Sequence, residues 1–173
     1  MTTKEYQKKS PLVIFLSYFG NHKKLFALDM TCAILIAVID LSFPLITRSA
    51  LYDMLPGQLY KTFFMVMAAV VCCYVLRSFL QYVILYYGHT FGIRVEADIR
   101  ADLFRKMQEM SVDFYDRNRT GQLMSRLTTD LFELAELAHH GPEDLLTSVI
   151  TIIGALIVMA SIRWELAVVV GLM

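Results

Sequence analysis

Long apolar stretches constrain this chain more than any other feature of its sequence. Three of them, at residues 25–48, 63–87 and 145–162, are rich in aliphatic and aromatic side chains and carry few charges. A bilayer is crossed by about 20 consecutive, mostly apolar residues in a helix. Each stretch is therefore long enough to be a transmembrane helix, and the sequence predicts an all-α, polytopic helical membrane protein.

The overall composition agrees with a membrane location. Of the 173 residues, 57% are hydrophobic and only 18% are charged, whereas soluble domains carry about 25% charged residues. The formal net charge is zero, so the charge balance does not indicate a nucleic-acid partner. Cys32, Cys72 and Cys73 lie in apolar stretches, and an odd number with two adjacent residues is not a disulfide framework.

Shorter apolar stretches lie near both ends of the sequence. Ser10 followed by Pro11 is a favourable helix start, because proline loses no hydrogen bond in the first helical turn. Residues 11–19 are predicted to form a short helix on the membrane surface, and no signal-peptide cleavage site follows them. Residues 166–173 are predicted to begin a fourth span, and we expect the chain to be a fragment of a longer protein.

The positively charged residues predict the orientation in the membrane. Lys and Arg are concentrated before the first span and between the second and third spans, which is typical of cytoplasmic segments. The N-terminus is therefore predicted to be cytoplasmic, in a multi-pass protein of the plasma or inner membrane. The charges that support this are Lys4, Lys8, Lys9, Lys23, Lys24, Arg94, Arg100, Arg105, Lys106, Arg117, Arg119 and Arg126.

The segment between the second and third spans has helical periodicity. The second span and its cytoplasmic extension are predicted to occupy residues 61–110, and a further helix, which includes the third span, residues 121–162. A 50-residue helix is about 75 Å long, well beyond the ~30 Å hydrocarbon core. The periodicity rests on apolar residues three or four apart: Val95, Ile99, Leu103, Met107, Met110, then Leu123, Leu127, Leu131, Leu134 and Ala138.

The turn between these two long helices carries two adjacent aromatic residues, Phe114 and Tyr115. Aromatic residues and arginine are the types that most often anchor protein interfaces. One interpretation is a docking element that inserts into a cytoplasmic partner. The other is that both rings pack back onto their own helical hairpin, and composition favours neither.

The chain resembles the transmembrane domain of type I ATP-binding-cassette (ABC) exporters. The resemblance covers essentially the whole sequence, and its most specific part is the pattern at residues 120–130. The segments that carry it are RVEADIR at 94–100, LF at 103–104, FYD at 114–116 and TGQLMSRLTTD at 120–130.

The resemblance implies a function, a set of partners and a partial six-helix exporter bundle. In this family two six-helix domains enclose a substrate pathway, and each is coupled to a domain that binds and hydrolyses ATP. The implied partners are a nucleotide-binding domain, a second transporter half as homodimer or heterodimer, membrane lipid and an unknown exported substrate. Residues 112–120 match the first coupling helix, and the matching residues of this element are Phe114, Tyr115, Arg117, Thr120 and Gly121.

The sequence contains no phosphate-binding loop of the form Gly-x-x-x-x-Gly-Lys-Ser/Thr. A nucleotide-binding domain is therefore absent from these residues. No catalytic, cofactor-binding or metal-binding residue is assigned in the chain, and ATP and Mg²⁺ are expected only for the intact transporter.

Charged residues within the spans are costly and suggest function. Counting helical rise from the predicted outer loop places Asp29 and Arg77 at similar depth, so we predict that they form an ion pair. Asp40 has no predicted partner and is expected to line the pathway or to meet another helix. Ser78 and Gln81 could line the same pathway or make polar contacts between helices.

Two other classes of protein remain open. The first is a polytopic membrane protein that is not driven by ATP, such as a receptor, an assembly factor or an ion-coupled carrier. The second is a membrane metalloenzyme using His139 and Glu143, which are four residues apart. Against the second, a third ligand is missing from the sequence pattern, and Pro142 is expected to disturb the helix.

Overall fold

A computed structural model describes residues 10–171 of the chain. Within that range every regular element is helical and no strand occurs, so the predicted all-α fold class is confirmed. The charges of Lys4, Lys8 and Lys9, and the last two residues of the predicted fourth span, lie outside the described residues.

Seven α-helices follow one another between Pro11 and Gly171, joined in part by short 3-10 or π-helical segments. Three helical runs, Pro11–Met54, Tyr60–Gln108 and Thr120–Ile162, are long and apolar enough to cross a membrane. The elements are α1 (Pro11–Phe19), a 3-10 turn (Gly20–His22), α2 (Lys23–Ser49), a π segment (Ala50–Met54), α3 (Tyr60–Gln108), α4 (Val112–Arg117), α5 (Thr120–Ser125), a π segment (Arg126–Asp130), α6 (Leu131–Ile162) and α7 (Trp164–Gly171).

Two features of the helices differ from the sequence-based expectation. The expected end of the first span is residue 48, but the helical run continues to Met54. Pro142 is expected to disturb its helix, but it lies inside the 32-residue α6 and does not end it. A proline removes one backbone hydrogen bond from a helix, and α6 remains helical on both sides of Pro142.

The described part of the chain divides into two compact units, and the first comprises its residues up to Asp29 together with Tyr86–Pro142. Its core forms around Phe91 and Val95, which are completely buried on α3. The Phe91 ring lies 5.0 Å from that of Phe19 and 5.5 Å from that of Phe26. Leu127, Leu131 and Ala138 complete this core, with Ile99 beside them.

Polar contacts hold α1 and the 3-10 turn against the second half of α3 in the same unit. The Tyr18 hydroxyl donates to Asp102 at 3.1 Å, and the Asn21 amide donates to Asp98 at 2.9 Å. His22 Nε2 lies 3.1 Å from the same Asp98 carboxylate. Since Phe19 is buried between these contacts, α1 has a defined position in the first unit.

A glycine lets α3 and α6 approach closely in the first unit. A Cβ atom at Gly92 would lie 2.8 Å from the backbone oxygen of Ala135. Small residues at helix contacts allow backbones to come together in membrane proteins. The contact cannot be relieved by turning a side chain, because the opposing atom belongs to the backbone.

The second unit comprises Met30–Leu85 and the residues from Glu143 onward. Its buried cluster places Cys32, Ala33 and Ile36 of α2 against Leu80 and Ile84 of α3. Many large apolar side chains of this unit remain exposed, which is the surface that a hydrocarbon environment would cover. Among them on α3 are Val71, Val75 and Phe79.

We expect Gly92→Ala to lower the free energy of unfolding by about 1–3 kcal/mol, because the added methyl group overpacks the contact between α3 and α6. Thermal unfolding of the detergent-solubilised protein measures the effect. Gly20→Ala is the matched control, since its added methyl group would have no neighbouring group within 4 Å. Equal stability of the two variants would contradict the close approach.

Candidate functional site

The turn between α3 and α5 contains a short helix, α4, in which the aromatic side chains are half-buried and the charged ones are exposed. Phe114 and Tyr115 are half-buried, with ring centroids 5.4 Å apart in an edge-to-face arrangement. The Tyr115 hydroxyl donates to the Met107 carbonyl at 2.6 Å. Tyr115 therefore packs back onto its own hairpin and connects α4 to the end of α3.

The exposed surface of this turn is formed by other residues, and we call residues 111–121 the hairpin tip. Val112 is 77% exposed, although sequence reasoning did not single it out. Asp113 and Arg117 form an ion pair within α4, with Nη2 and Oδ2 3.0 Å apart. Three further residues of the hairpin tip, Arg119, Thr120 and Gly121, are exposed.

Side-chain contacts of α3 stiffen the base of the hairpin. The Arg100 guanidinium donates to the Leu127 carbonyl at 3.2 Å and pairs with Glu96. Leu127 lies in the π segment before α6, so Arg100 connects the two long helices of the first unit. In the sequence, Arg100 is a marker of orientation and part of the RVEADIR segment. No local pattern identifies a carbonyl acceptor 27 residues away.

A second charged contact lies just before the hairpin tip. The Lys106 ammonium donates to Glu109 at 2.8 Å. This hydrogen bond and the charge of Lys106 hold the pKa of Glu109 below its usual value. Glu109 therefore stays ionised beside the end of α3, where Arg105 and Lys106 lie in the last helical turn.

Within the second unit, Arg77 of α3 binds Asp40 of α2 through two parallel hydrogen bonds. Arg77 Nε donates to Asp40 Oδ1 at 2.7 Å, and Nη2 donates to Oδ2 at 2.8 Å. This two-point geometry is the strongest arrangement of arginine with a carboxylate. The expectation that Asp40 lacks a partner is therefore wrong.

The predicted pair of Asp29 with Arg77 is also wrong. The helical run that begins with α2 continues six residues past its expected end and finishes at Met54. Counted from Met54 by helical rise, Asp40 lies about 21 Å along the helix. Asp40 is therefore closer in depth to Arg77 than Asp29 is. Asp29 instead faces His139, with Oδ2 and Nδ1 3.3 Å apart.

The other two residues proposed for the pathway are on α3. The Ser78 hydroxyl donates to the Tyr74 carbonyl of its own helix at 3.0 Å, a local bond that satisfies it without a second helix. Gln81 is exposed. A role of either residue in a substrate pathway stays a prediction.

Comparison with known protein families identifies the class of this chain. Residues 26–173 match the family model of the ABC transporter transmembrane region. The match covers most of the chain and includes the two long helices and the hairpin tip. The chain belongs to this family and is a membrane protein.

Individual relatives agree with the family. The uncharacterized ABC transporter ATP-binding protein YwjA of Bacillus subtilis (strain 168) is 46% identical over 153 residues, which are 88% of this chain and 27% of that protein. An ATP-dependent lipid A-core flippase of Syntrophus aciditrophicus (strain SB) is 25% identical over 148 residues, 86% of this chain and 25% of that protein. The ABC-type oligopeptide transporter ABCB9 of Mus musculus is 33% identical over 76 residues, 44% of this chain and 10% of that protein.

The chain spans about a quarter of the length of the bacterial relatives described above. The resemblance to ABC exporters predicted from the sequence is confirmed by the family match. A polytopic protein not driven by ATP and a metalloenzyme using His139 and Glu143 gain no support from these comparisons.

We expect reversal of either charge in the Asp40–Arg77 pair to destabilise the protein by about 3 kcal/mol or more, because it leaves like charges facing each other in an apolar span. The double reversal, Asp40→Arg with Arg77→Asp, is expected to recover most of the loss. Thermal unfolding in lipid nanodiscs measures all three variants.

The exposed Asp113–Arg117 pair provides the matched control for this experiment. Reversing one of its charges should change stability by less than about 1 kcal/mol, the usual value for a surface ion pair. A double reversal at Asp40 and Arg77 that is as unstable as the single ones would contradict a specific pair.

Proposed function

We propose that the chain forms the membrane-spanning permease part of an ATP-driven exporter. The observation that carries the proposal is the family match over residues 26–173. In the proposed assembly, a second transporter half, identical or different, completes the substrate pathway. A nucleotide-binding domain on the same or a separate chain supplies the energy.

ATP and Mg²⁺ would bind to that partner domain in the intact transporter. The present sequence contains no phosphate-binding loop, whereas the names of two relatives describe an ATP-binding protein and an ATP-dependent flippase. This division of labour makes a mechanical connection between the two parts necessary.

The hairpin tip is the proposed connection. Its exposed side chains, among them Val112 and Arg119, are available to a partner, while Tyr115 holds α4 to the end of α3. A movement of the nucleotide-binding domain would then pass to α3, whose backbone is helical without interruption from Tyr60 to Gln108. Such continuity favours motion of a rigid element over local bending.

The proposed pathway includes the polar side chains of the second unit. The Asp40–Arg77 pair, with Ser78 and Gln81 on α3, places charged and polar groups in otherwise apolar spans. Polar residues at such positions mark substrate pathways or contacts between helices. The names of the relatives describe different cargoes, a lipid and oligopeptides, so the proposal is limited to an exported substrate.

Arg119→Glu is expected to lower the ATPase activity of the intact transporter in proteoliposomes about fivefold or more, because it reverses a charge on the coupling surface. Its thermal stability should be unchanged, since Arg119 is exposed. Arg94→Glu, the same change at an exposed position on α3, is the matched control. Equal activity of the two variants at wild-type level would contradict coupling through the hairpin tip.

We also propose that the N-terminus and the hairpin tip are cytoplasmic, in the plasma or inner membrane. In a variant lacking native cysteines, Asn118→Cys should react with a membrane-impermeant maleimide only after permeabilisation of the cells. Gln58→Cys, in the turn between α2 and α3, should react in intact cells. The reverse labelling pattern would show that the orientation is wrong.

A further inference from the structure

Three imidazole side chains gather in the first unit. His89 comes from α3, and the adjacent His139 and His140 come from α6. The ring centroids of His89 lie 5.0 Å from His139 and 5.6 Å from His140, and the last two are 4.4 Å apart. One nitrogen atom of each ring lies within 4.8 Å of a nitrogen atom of each of the other two rings. The fold therefore brings together potential metal ligands from residues about 50 positions apart in the sequence.

A buried carboxylate beside this cluster is a second, independent observation. Asp29 is only 1% exposed. Neither of its oxygens makes a hydrogen bond within the part of the chain that the structure describes, although Oδ2 lies 3.3 Å from Nδ1 of His139. Burial of a carboxylate without hydrogen bonds is unfavourable, so positive charge near Asp29 would stabilise this site.

The geometry resembles the carboxylate–histidine arrangement that supports metal ligands. In such arrangements a carboxylate holds one ring nitrogen of a histidine, and the other nitrogen is directed at the metal. Asp29 Oδ2 lies beside Nδ1 of His139, so in the proposed site the other ring nitrogen, Nε2, would be the ligand atom. A divalent cation would also compensate the negative charge of Asp29.

The packing around His139 is consistent with a ligand of defined position. His139 is 2% exposed, and its ring fills the space in front of Gly88, where a Cβ atom would overlap Cε1 of the ring. By contrast, the His140 side chain is 46% exposed and lies 3.5 Å from Glu136. One imidazole is therefore held in place, and a partly exposed one can rotate and admit an ion.

The required adjustment is small. Zinc binds imidazole nitrogen at about 2.0–2.1 Å, which places the ligands of a tetrahedral site about 3.3 Å apart. The present nitrogen atoms are separated by up to 4.8 Å. Rotation of the His89 and His140 side chains is the adjustment that the proposed site requires.

We propose that His89, His139 and His140 form a binding site for a borderline divalent metal ion of the Zn²⁺ class, with Asp29 orienting His139. Three imidazoles and an open fourth position suit such ions, whereas Mg²⁺ and Ca²⁺ prefer oxygen ligands. A bound ion would join α3 to α6 within the first unit. The site shares His139 with the pairing of His139 and Glu143 considered above but takes its other ligands from His89 and His140, and it does not depend on the transport function.

The test is a titration of the full-length protein, purified without a polyhistidine tag, with Co²⁺ as the spectroscopic substitute for Zn²⁺. We expect one equivalent of Co²⁺ per chain with the visible absorption of nitrogen and oxygen coordination, and its displacement by Zn²⁺. His89→Gln and His140→Gln should each weaken binding at least tenfold. Asp29→Asn should weaken it about 10–100-fold, as loss of an orienting partner does.

His22→Gln is the matched control, because His22 lies in the same unit but pairs with Asp98. Its affinity should equal that of the unmodified protein, as should that of Cys72→Ser/Cys73→Ser. Thermal unfolding with a chelator present verifies that each variant is folded. Absence of a stoichiometric Co²⁺ spectrum, a thiolate-to-cobalt band, or unchanged affinity in both His89→Gln and His140→Gln would overturn the proposal.

Discussion

The absence of hydrogen-bonding solvent in a bilayer is the constraint on which this structure depends. A backbone N–H or C=O without a partner costs several kcal/mol in hydrocarbon, so a spanning segment must satisfy its own polar groups. The three long runs are helical throughout, so most of their backbone groups pair within the same run. Even at Pro142, where one donor is missing, α6 continues, because ending the helix would leave further groups unpaired.

Once the helices are formed, side-chain size determines where they meet. In the first unit, Gly92 brings the backbones of α3 and α6 together and Gly88 leaves room for the His139 ring. Phe91 and Val95 then fill the core beside them. In the second unit, Cys32 and Ala33 allow α2 to pack on Leu80 and Ile84. Close packing supplies much of the attraction between the helices, because there is no hydrophobic driving force for their association within lipid.

Polar groups within the spans follow the same constraint, since each charged side chain there must find compensation. Arg77 finds it in the two oxygens of Asp40, and Asp29 faces His139. At the hairpin, where water can compete, the charged pairs are local and exposed, as in Asp113–Arg117. The Asp40–Arg77 ion pair inside the spans therefore connects two helices, whereas the Asp113–Arg117 pair at the hairpin tip lies within one helix.

The sequence by itself determined the helical class, the approximate helix bounds and the family, because apolar length, periodicity and the motif at 120–130 are local properties. Only the tertiary structure decided which charges meet. A shift of six residues in the end of the first helical run, from residue 48 to Met54, exchanged Asp29 for Asp40 as the partner of Arg77. Likewise, the contact of Tyr115 with Met107 and the approach of His89 to His139 depend on side-chain packing. Helical periodicity predicts which face of a helix a residue lies on, but it predicts neither the depth of that residue in the membrane nor its partner on another helix.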